Sequence, residues 1–242
     1  MKVFAYMEHG KYKTSSEDTM IANCEICKDG YFVFNSPGNC IAIADGVGGN
    51  AGGMEASEFV AEKLKAGLSD EIRTAVFKIN YDLLSYALSV PGKEKMATTL
   101  TALLFSDNKP SYILHVGNTR LSAIQGEYLK QLTRDHTTVE YLKTRGDYEA
   151  AEKAAQNEIT ACFGSGNASA LNQLQINEID RDYSGFVLTS DGIHDYLDEE
   201  EIESFVSAGD YSENAFRGLA QQAKELGSTD DMSIIIVKLR EC

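Results

Sequence analysis

Apolar segments that end or begin at an aspartate are the feature that most constrains the fold of this chain. The segment IAIADG places Asp45 directly after an apolar run, and FVLTSDG places Asp191 in the same way. A third segment, STDDMSIIIVKL, has Asp230 and Asp231 directly before an apolar run. No Lys or Arg adjoins these aspartates in the sequence. The fold must therefore accommodate several carboxylates at the ends of buried strands.

These aspartates indicate a cation site. Carboxylates gathered in one place repel one another, and burying an unpaired one is costly, so we expect raised pKa values or a bound cation. Oxygen ligands without neighbouring Cys or His favour Mg²⁺, Mn²⁺ or Ca²⁺ over zinc. The segment SSEDT adds Glu17 and Asp18, and the glycines after Asp45 leave room for an ion and a phosphate-sized ligand. Taken singly, each aspartate could be a turn residue or helix N-cap; their recurrence beside three apolar runs favours a shared site.

The order of strand and helix patterns predicts an α+β fold in a single domain, 1–242. Apolar runs bounded by turn signals predict strands at 3–8, 19–27, 31–34, 40–44, 185–190 and 232–239. Four apolar segments are separated by DNKP, GNT and QGE, as is typical of an antiparallel meander: 98–106, 111–117, 120–125 and 128–133. Helical patterns cover 54–67, 70–88, 137–155, 198–206 and 212–226. Separate runs of strands and helices indicate layers rather than a regularly alternating sheet.

The charge balance and the cysteines limit the function classes. Lys and Arg number 22 against 37 Asp and Glu, and the net charge of −15 disfavours nucleic acid and anionic membranes as partners. No apolar run has membrane-spanning length and MKVFAYMEHGKYK lacks a signal-peptide pattern, so we expect a cytoplasmic protein. The five cysteines do not indicate a disulfide framework, and the CxxC of Cys24 and Cys27 lacks the second pair of a zinc ribbon.

A nucleotide-binding oxidoreductase is a competing interpretation of the glycines. GVGGNA fits the dinucleotide-binding pattern G-x-G-x-x-A between a strand and a helix. That fold needs a second parallel strand soon after the first helix, whereas about forty residues of helical pattern follow here. The chain also lacks the Gly-Lys-Ser/Thr of a phosphate-binding loop. Binding of a nicotinamide cofactor would support this alternative.

Eight segments occur in the order found in one family: SSEDT, DGVGGNAGGMEAS, ATTL, HVGNTR, LTRDHT, NEITACFG, LTSDGIHD and STDDMSIIIV. From residue 8 to about residue 239, the chain resembles the metal-dependent Ser/Thr protein phosphatases of type 2C, the PPM family, in their small single-domain bacterial form. The resemblance implies a four-layer α-β-β-α sandwich of two antiparallel sheets flanked by helices. It also implies a flap over about 137–158 beside the active site.

The resemblance further implies a centre of two Mg²⁺ or Mn²⁺ ions that activates a bridging water to hydrolyse phosphoserine or phosphothreonine. The catalytic residues, acting through that metal-bound water, would be Asp45, Asp191 and Asp230. Asp45 resembles the ligand that bridges both ions, and Asp191 and Asp230 resemble ligands of the first ion. The second ion would be bound by Glu17 and Asp18, directly or through water, and by the Gly46 carbonyl.

Four positions depart from the family pattern. Lys13 replaces the usual arginine that grips the substrate phosphate, which gives a point charge in place of a bidentate fork. Ser16 replaces an Asn, and Val47 stands where many eukaryotic members have His. Asn118 replaces the aspartate of a third metal site, so a third ion should bind weakly or not at all. These departures leave a second interpretation open, a catalytically impaired pseudophosphatase that acts as a phosphoprotein-binding module.

Other polar residues are expected to have structural roles. His115 alternates with apolar neighbours, and Asp135 and His136 are expected to hold the loop before the flap through hydrogen bonds. His194 follows the Asp191 turn without a metal-binding partner in the sequence. The expected partners are phosphorylated proteins and a Ser/Thr kinase whose action the enzyme opposes, and the expected state is a monomer.

Overall fold

The computed structural model describes residues 1–35, 38–47, 52–69, 71–106, 110–179 and 183–239. The strands are β1 Lys2–Glu8, β2 Thr19–Ala22, β3 Glu25–Cys27, β4 Gly30–Phe34, β5 Cys40–Ala44, β6 Ala97–Thr98, β7 Leu100–Leu104, β8 Tyr112–Val116, β9 Arg120–Gln125, β10 Tyr128–Gln131, β11 Phe163–Gly164, β12 Gln175–Glu178, β13 Gly185–Thr189 and β14 Met232–Lys238. The helices are α1 Gly53–Lys65, α2 Ile72–Ser89, α3 Thr138–Thr144, α4 Tyr148–Lys153, α5 Asp191–His194, α6 Glu199–Ala208 and α7 Glu213–Glu225, with a 3₁₀ turn at Ala168–Leu171.

Two six-stranded antiparallel sheets form the middle layers. Sheet I has the order β10-β9-β13-β14-β1-β4, and sheet II has the order β12-β8-β7-β5-β2-β3. Helices α1 and α2 pack on the outer face of sheet II, and α6 and α7 pack on the outer face of sheet I. The four-layer α-β-β-α architecture predicted from the sequence is confirmed. Among the described strands every pairing is antiparallel, which contradicts the parallel sheet of the nucleotide-binding alternative.

Strand β14 shows why the apolar runs are continuous. Successive side chains of a strand point to opposite faces. Ile235 and Val237 therefore lie between the two sheets, whereas Ile234 and Ile236 pack with Phe216 of α7. Both faces are buried, so the strand carries no polar alternation. In the described part of the chain, no helix combines the length and apolarity that crossing a bilayer requires.

The predicted meander is wrong at its centre. Strands β7 and β8 pair within sheet II, and β9 and β10 pair within sheet I, so the chain crosses between sheets at 117–119. The GNT segment is therefore a crossover and not a hairpin turn. Gly117 has φ 111°, and a Cβ there would lie 2.5 Å from the Cβ of Thr99. Glycine permits both the backbone conformation and the close contact at this crossing.

Two other elements differ from their predicted bounds. The strand predicted at 19–27 is a hairpin of β2 and β3, because Asn23 and Cys24 form a tight turn with φ of 53° and 57°. The helix predicted at 137–155 is divided into α3 and α4. Gly146 lies between them with φ 76°, and the Asp147 side chain accepts the Ala150 N–H to begin α4.

Candidate metal centre

Strand pairing brings the predicted acidic residues to one end of the sandwich. In sheet II, the start of β2 pairs with the end of β5, which places Asp18 beside Asp45. In sheet I, the end of β13 pairs with the start of β14, which places Asp191 near Asp230 and Asp231. Asp45 lies within electrostatic reach of Asp18, Asp191 and Asp230. Residues about 200 positions apart in the chain therefore meet at one end of the facing sheets.

Asp18, Asp45 and Asp191 form an inner group of carboxylates. Asp18 is 1% exposed, and burial followed by the charge of Asp231 raises its pKa to about 7. Burial and the charge of Asp18 raise the pKa of Asp45 well above its usual range. Burial and the charge of Asp230 raise the pKa of Asp191 to about 6. Crowded, buried negative charge therefore raises all three pKa values, and a bound cation would oppose that shift.

Hydrogen bonds orient two members of the inner group. Ser233 Oγ donates to Asp18 Oδ2 at 2.6 Å, and Asn118 Nδ2 donates to Asp191 Oδ2 at 2.8 Å. Asn118 is 4% exposed, and its Oδ1 has no hydrogen-bond partner among the described residues. A buried oxygen without a partner costs free energy, so this atom marks a place where an ordered water or ion would be favourable.

The backbone of Asp45 is fixed by the ATTL segment. Thr98 Oγ1 and the Thr99 N–H both donate to the Asp45 carbonyl at 2.8 Å. In return, the Asp45 N–H donates to Thr99 Oγ1 at 3.1 Å. These bonds give a physical role to the ATTL segment, which is recognisable in the sequence only as a family motif. The middle of the glycine-rich loop, 48–51, lies outside the described residues.

Gly46 lies where backbone segments converge. A Cβ at Gly46 would lie 2.6 Å from the carbonyl carbon and oxygen of Gly53 and 2.9 Å from the carbonyl oxygen of Glu17. A Cβ at Gly53 would lie 3.0 Å from Glu17 Oε1. Ser57 Oγ donates to the Glu17 carbonyl at 2.5 Å and so ties α1 to the same loop. Glycine is required here because any side chain would separate Glu17 from the Asp45 turn.

Glu17, Asp230 and Asp231 form an outer group that differs from the inner group in having a cation. The Lys13 ammonium lies 2.8 Å from Glu17 Oε2, 3.1 Å from Asp230 Oδ1 and 2.8 Å from Asp231 Oδ2. Burial alone would lower the pKa of Lys13, but hydrogen bonds to Asp231 and Glu17 raise it above its usual range. The residue expected to bind substrate phosphate is therefore ion-paired with predicted metal ligands.

Asp231 has a structural role in addition to its place among the aspartates that indicate a cation site. It is 3% exposed and accepts the N–H groups of Gly10 at 2.7 Å and Glu17 at 2.8 Å, besides the Lys13 ammonium. It therefore holds the 10–17 loop against the start of β14. The doubled aspartate of STDDM was the available signal, because neighbouring residues at a strand start point to opposite sides.

The donors in both groups fit a hard divalent cation in their chemistry. They are carboxylate and carbonyl oxygens, with no sulfur or imidazole among them. In the ranges that the structure describes, no three His, Cys, Asp or Glu side chains are arranged to hold one ion in common. The outer group is instead drawn onto Lys13. Ion binding would require the carboxylates of the two groups to reorient.

The other polar residues have the structural contacts expected of them. Arg120 forks onto Asp135, with Nη2 2.7 Å from Oδ2. His115 is buried between Thr101 Oγ1 at 2.8 Å and the Arg134 carbonyl at 3.0 Å. Both ring nitrogens are thus engaged by protein groups, and burial lowers the pKa of His115 to about 3.

His136 and His194 are also held by local contacts. The Gly117 N–H donates to His136 Nδ1 at 3.0 Å, which fixes the loop before the predicted flap. His194 is 8% exposed, and its Nδ1 lies 2.8 Å from Thr189 Oγ1. Within the described ranges its Nε2 has no hydrogen-bond partner, and burial lowers the pKa of His194 well below the usual range. Burial also lowers the pKa of His136, to about 4, so burial favours the uncharged form of both rings.

Known proteins resemble this chain over nearly its whole length. Residues 18–226 match the family described as Protein phosphatase 2C. The chain is 27% identical over 249 aligned positions to the Serine/threonine protein phosphatase PstP of Mycobacterium tuberculosis, covering 98% of this chain. It spans only 44% of that relative's length.

Solved structures share the fold. The serine/threonine phosphatase Stp1 from Staphylococcus aureus superposes with a TM-score of 0.79 at 25% identity, covering 99% of this chain and 95% of that chain. The catalytic domain of PstP, described in complex with two manganese ions, superposes with a TM-score of 0.72 at 26% identity, covering 98% and 99%. The second of these has metal ions in a fold like this one.

Proposed function

Because the chain belongs to the protein phosphatase 2C family, we propose that it is a metal-dependent phosphatase of phosphoserine and phosphothreonine in proteins. The observation that carries this proposal is the inner group. Asp18, Asp45 and Asp191 come from three segments of two sheets, and the charges of neighbouring carboxylates raise their pKa values. The manganese-bound PstP domain supports a divalent ion as the missing counter-charge.

We propose that two Mg²⁺ or Mn²⁺ ions are held by carboxylates of both groups and one carbonyl: Asp45, Asp191, Asp230, Glu17, Asp18 and the Gly46 carbonyl. When bound, such ions acidify a shared water and offset the charge of a transferring phosphoryl group. Thr98 and Thr99 hold the Asp45 backbone, and Ser233 bonds one oxygen of the Asp18 carboxylate, so the backbone of the site is fixed and the carboxylates would reorient on it when ions bind.

Three other residues have proposed roles at the site. Lys13 is the candidate for contact with the substrate phosphate, as a point charge on a flexible stem. Asn118 donates to Asp191 Oδ2 and so uses an oxygen lone pair that a third ion would need. Burial raises the pKa of Asp195, and Arg120 opposes that shift. The negative charge of Asp230 also raises the pKa of Asp195. We therefore propose two ions and no tightly bound third ion.

The flap proposal rests on a cavity beside the acidic groups. A space of about 70 Å³ lies between Asn118, Asp195 and residues of the 137–158 segment, among them Thr137 and Lys143. We propose that this segment helps to choose phosphorylated proteins as substrates within a single domain, 1–242. A Ser/Thr kinase as the opposing enzyme, a monomeric state and a cytoplasmic location belong to the same proposal.

The test is hydrolysis of a phosphothreonine peptide and of p-nitrophenyl phosphate with added Mn²⁺. Asp45→Asn should lower the rate at least about a hundredfold, because it removes a carboxylate shared by both proposed ions. Asp210→Asn is the matched control, since Asp210 is exposed and bonds only its own turn at Ser212 among the contacts described. Equal rates of hydrolysis for wild type and Asp45→Asn would contradict the proposal that the chain is a metal-dependent phosphatase.

One observation favours the second interpretation, a pseudophosphatase. Lys13 is engaged with three carboxylates and is not free to meet a phosphate. If wild type binds Mn²⁺ and phosphopeptide but shows no turnover, the chain is a phosphoprotein-binding module. Turnover that depends on Mn²⁺ and on Asp45 excludes that interpretation.

A further inference from the structure

We propose that Lys13 is a resident counter-ion of the metal centre, which competes with the divalent ions for the outer group. This inference rests on the proposed function, since it concerns the same centre. Its basis is the set of contacts of one ammonium group. Lys13 Nζ lies 2.8 Å from Glu17, 3.1 Å from Asp230 and 2.8 Å from Asp231.

The three partners of Lys13 have different tasks. Glu17 is a proposed ligand of one ion and Asp230 of the other, so the ammonium links the two halves of the centre. Asp231 is buried and is also bonded to backbone N–H groups of the 10–17 loop. Asp231 is therefore an anchor, whereas Glu17 and Asp230 are the partners that an ion would take from Lys13.

The nearby cations do not duplicate this contact. Arg120 is committed to Asp135 through both Nε and Nη2. Lys28 donates to the Asp18 carbonyl and pairs with Glu58 outside the centre. The Lys13 side chain is 28% exposed, so its ammonium lies at the edge of the site and not in open solvent. It is placed to balance part of the negative charge when no ion is bound.

Competition follows from electrostatics. A divalent ion needs the carboxylate oxygens of Glu17 and Asp230, to which Lys13 is bonded in the metal-free protein. The ion and the Lys13 ammonium are both positive, so they repel each other when they are this close. Binding must break two of the three ion pairs and leave the lysine on Asp231. The affinity for metal is therefore lower than it would be without Lys13. The metal-free protein is more stable than it would be without Lys13.

The test is titration calorimetry with MnCl₂ on chelator-treated protein, which measures binding independently of turnover. Lys13→Met and Lys13→Gln should each bind Mn²⁺ about tenfold more tightly than wild type, because the competing charge is gone. Without metal, both variants should melt at lower temperature, because the outer group loses its cation. Lys13→Arg keeps the charge and should bind Mn²⁺ within about threefold of wild type.

Lys11→Met is the matched control, since Lys11 is on the same loop and its ammonium lies over the Tyr12 ring. It should leave the Mn²⁺ affinity unchanged. Unchanged or weaker binding by the folded Lys13→Gln and Lys13→Met variants would overturn the competition while leaving the metal centre standing. Absence of Mn²⁺ binding by wild type would overturn the centre itself and this inference with it.

Discussion

The inner and outer groups of carboxylates lie side by side, but the repulsion among their negative charges is offset in different ways. In the outer group, Lys13 contacts every member at 2.8–3.1 Å. In the inner group, the described side-chain hydrogen bonds come from the neutral groups of Ser233 and Asn118. A bound cation should therefore stabilise the inner group more than the outer group. In the outer group, the cation must first displace Lys13.

This difference has a consequence for protonation. Neighbouring negative charges raise the pKa of a carboxylate that has no cation beside it. An ammonium beside the carboxylate offsets that repulsion. Raised pKa values occur throughout the inner group. Without metal, substitutions that neutralise one carboxylate should change the stability of the two groups in opposite directions.

Asp18→Asn should give the largest change in stability of the metal-free protein. The pKa of Asp18 is raised from 3.8 to about 7, so the folded state binds its proton more tightly than the unfolded state. This contribution to stability is complete below pH 3.8 and is lost as pH rises through about 7. Asp18→Asn should thus raise the free energy of unfolding by on the order of 3 kcal/mol at pH 8, and by little at pH 3.5. Urea denaturation in chelator at both pH values measures it.

The matched substitution in the outer group is Asp230→Asn. Asp230 has a 47% exposed side chain paired with Lys13. Its neutralisation should lower the free energy of unfolding at pH 8 by less than about 1 kcal/mol, as expected for an exposed ion pair. If the two substitutions shift stability in the same direction at pH 8, the contrast between the groups is wrong.

Asp231→Ala should have the next largest effect. The substitution leaves the N–H groups of Gly10 and Glu17 without their acceptor and removes the buried partner of Lys13. Loss of one partner from a buried, hydrogen-bonded charge pair costs about 3 kcal/mol. Urea denaturation at pH 7 should show that loss, and hydrogen exchange should show faster exchange of the Gly10 and Glu17 amides. Asp231→Asn keeps one acceptor oxygen and should lose less; equal losses would mean that the charge and not the acceptor geometry matters.

The layered fold could be predicted because its signals are local. The two buried faces of β14 give an unbroken apolar run, and the Asp-Gly that follows β5 marks where a strand ends at the site. The change of sheet at 117–119 could not be predicted, since a glycine with positive φ serves hairpins and crossovers alike. The tight turn at Asn23 and Cys24 was missed because neither residue is the glycine usual in such turns.

The site was predicted as a set of residue types, but its charge pairing was not. The identities of Asp45, Asp191 and Asp230 follow from motif and strand ends. The partners of Lys13 do not, since Lys13 and Asp231 are 218 positions apart and meet only because β1 lies beside β14. The ligand roles of these residues stay predictions, and the direct evidence for them will be the ion count.

Asn118→Asp should have the smallest effect, one that changes the number of ions rather than the stability of the inner group. The substitution replaces the amide donor to Asp191 with a second carboxylate beside it, and two adjacent carboxylates favour another hard ion. If the proposed two ions bind to wild type, metal analysis after dialysis against Mn²⁺ should show the count rising toward three in this variant. Asn118→Ala removes the same hydrogen bond without adding charge and should stay at two. An equal count in both variants would show that the Asn118 position does not limit a third ion, and would place the limit in the neighbouring Asp195 and Arg120.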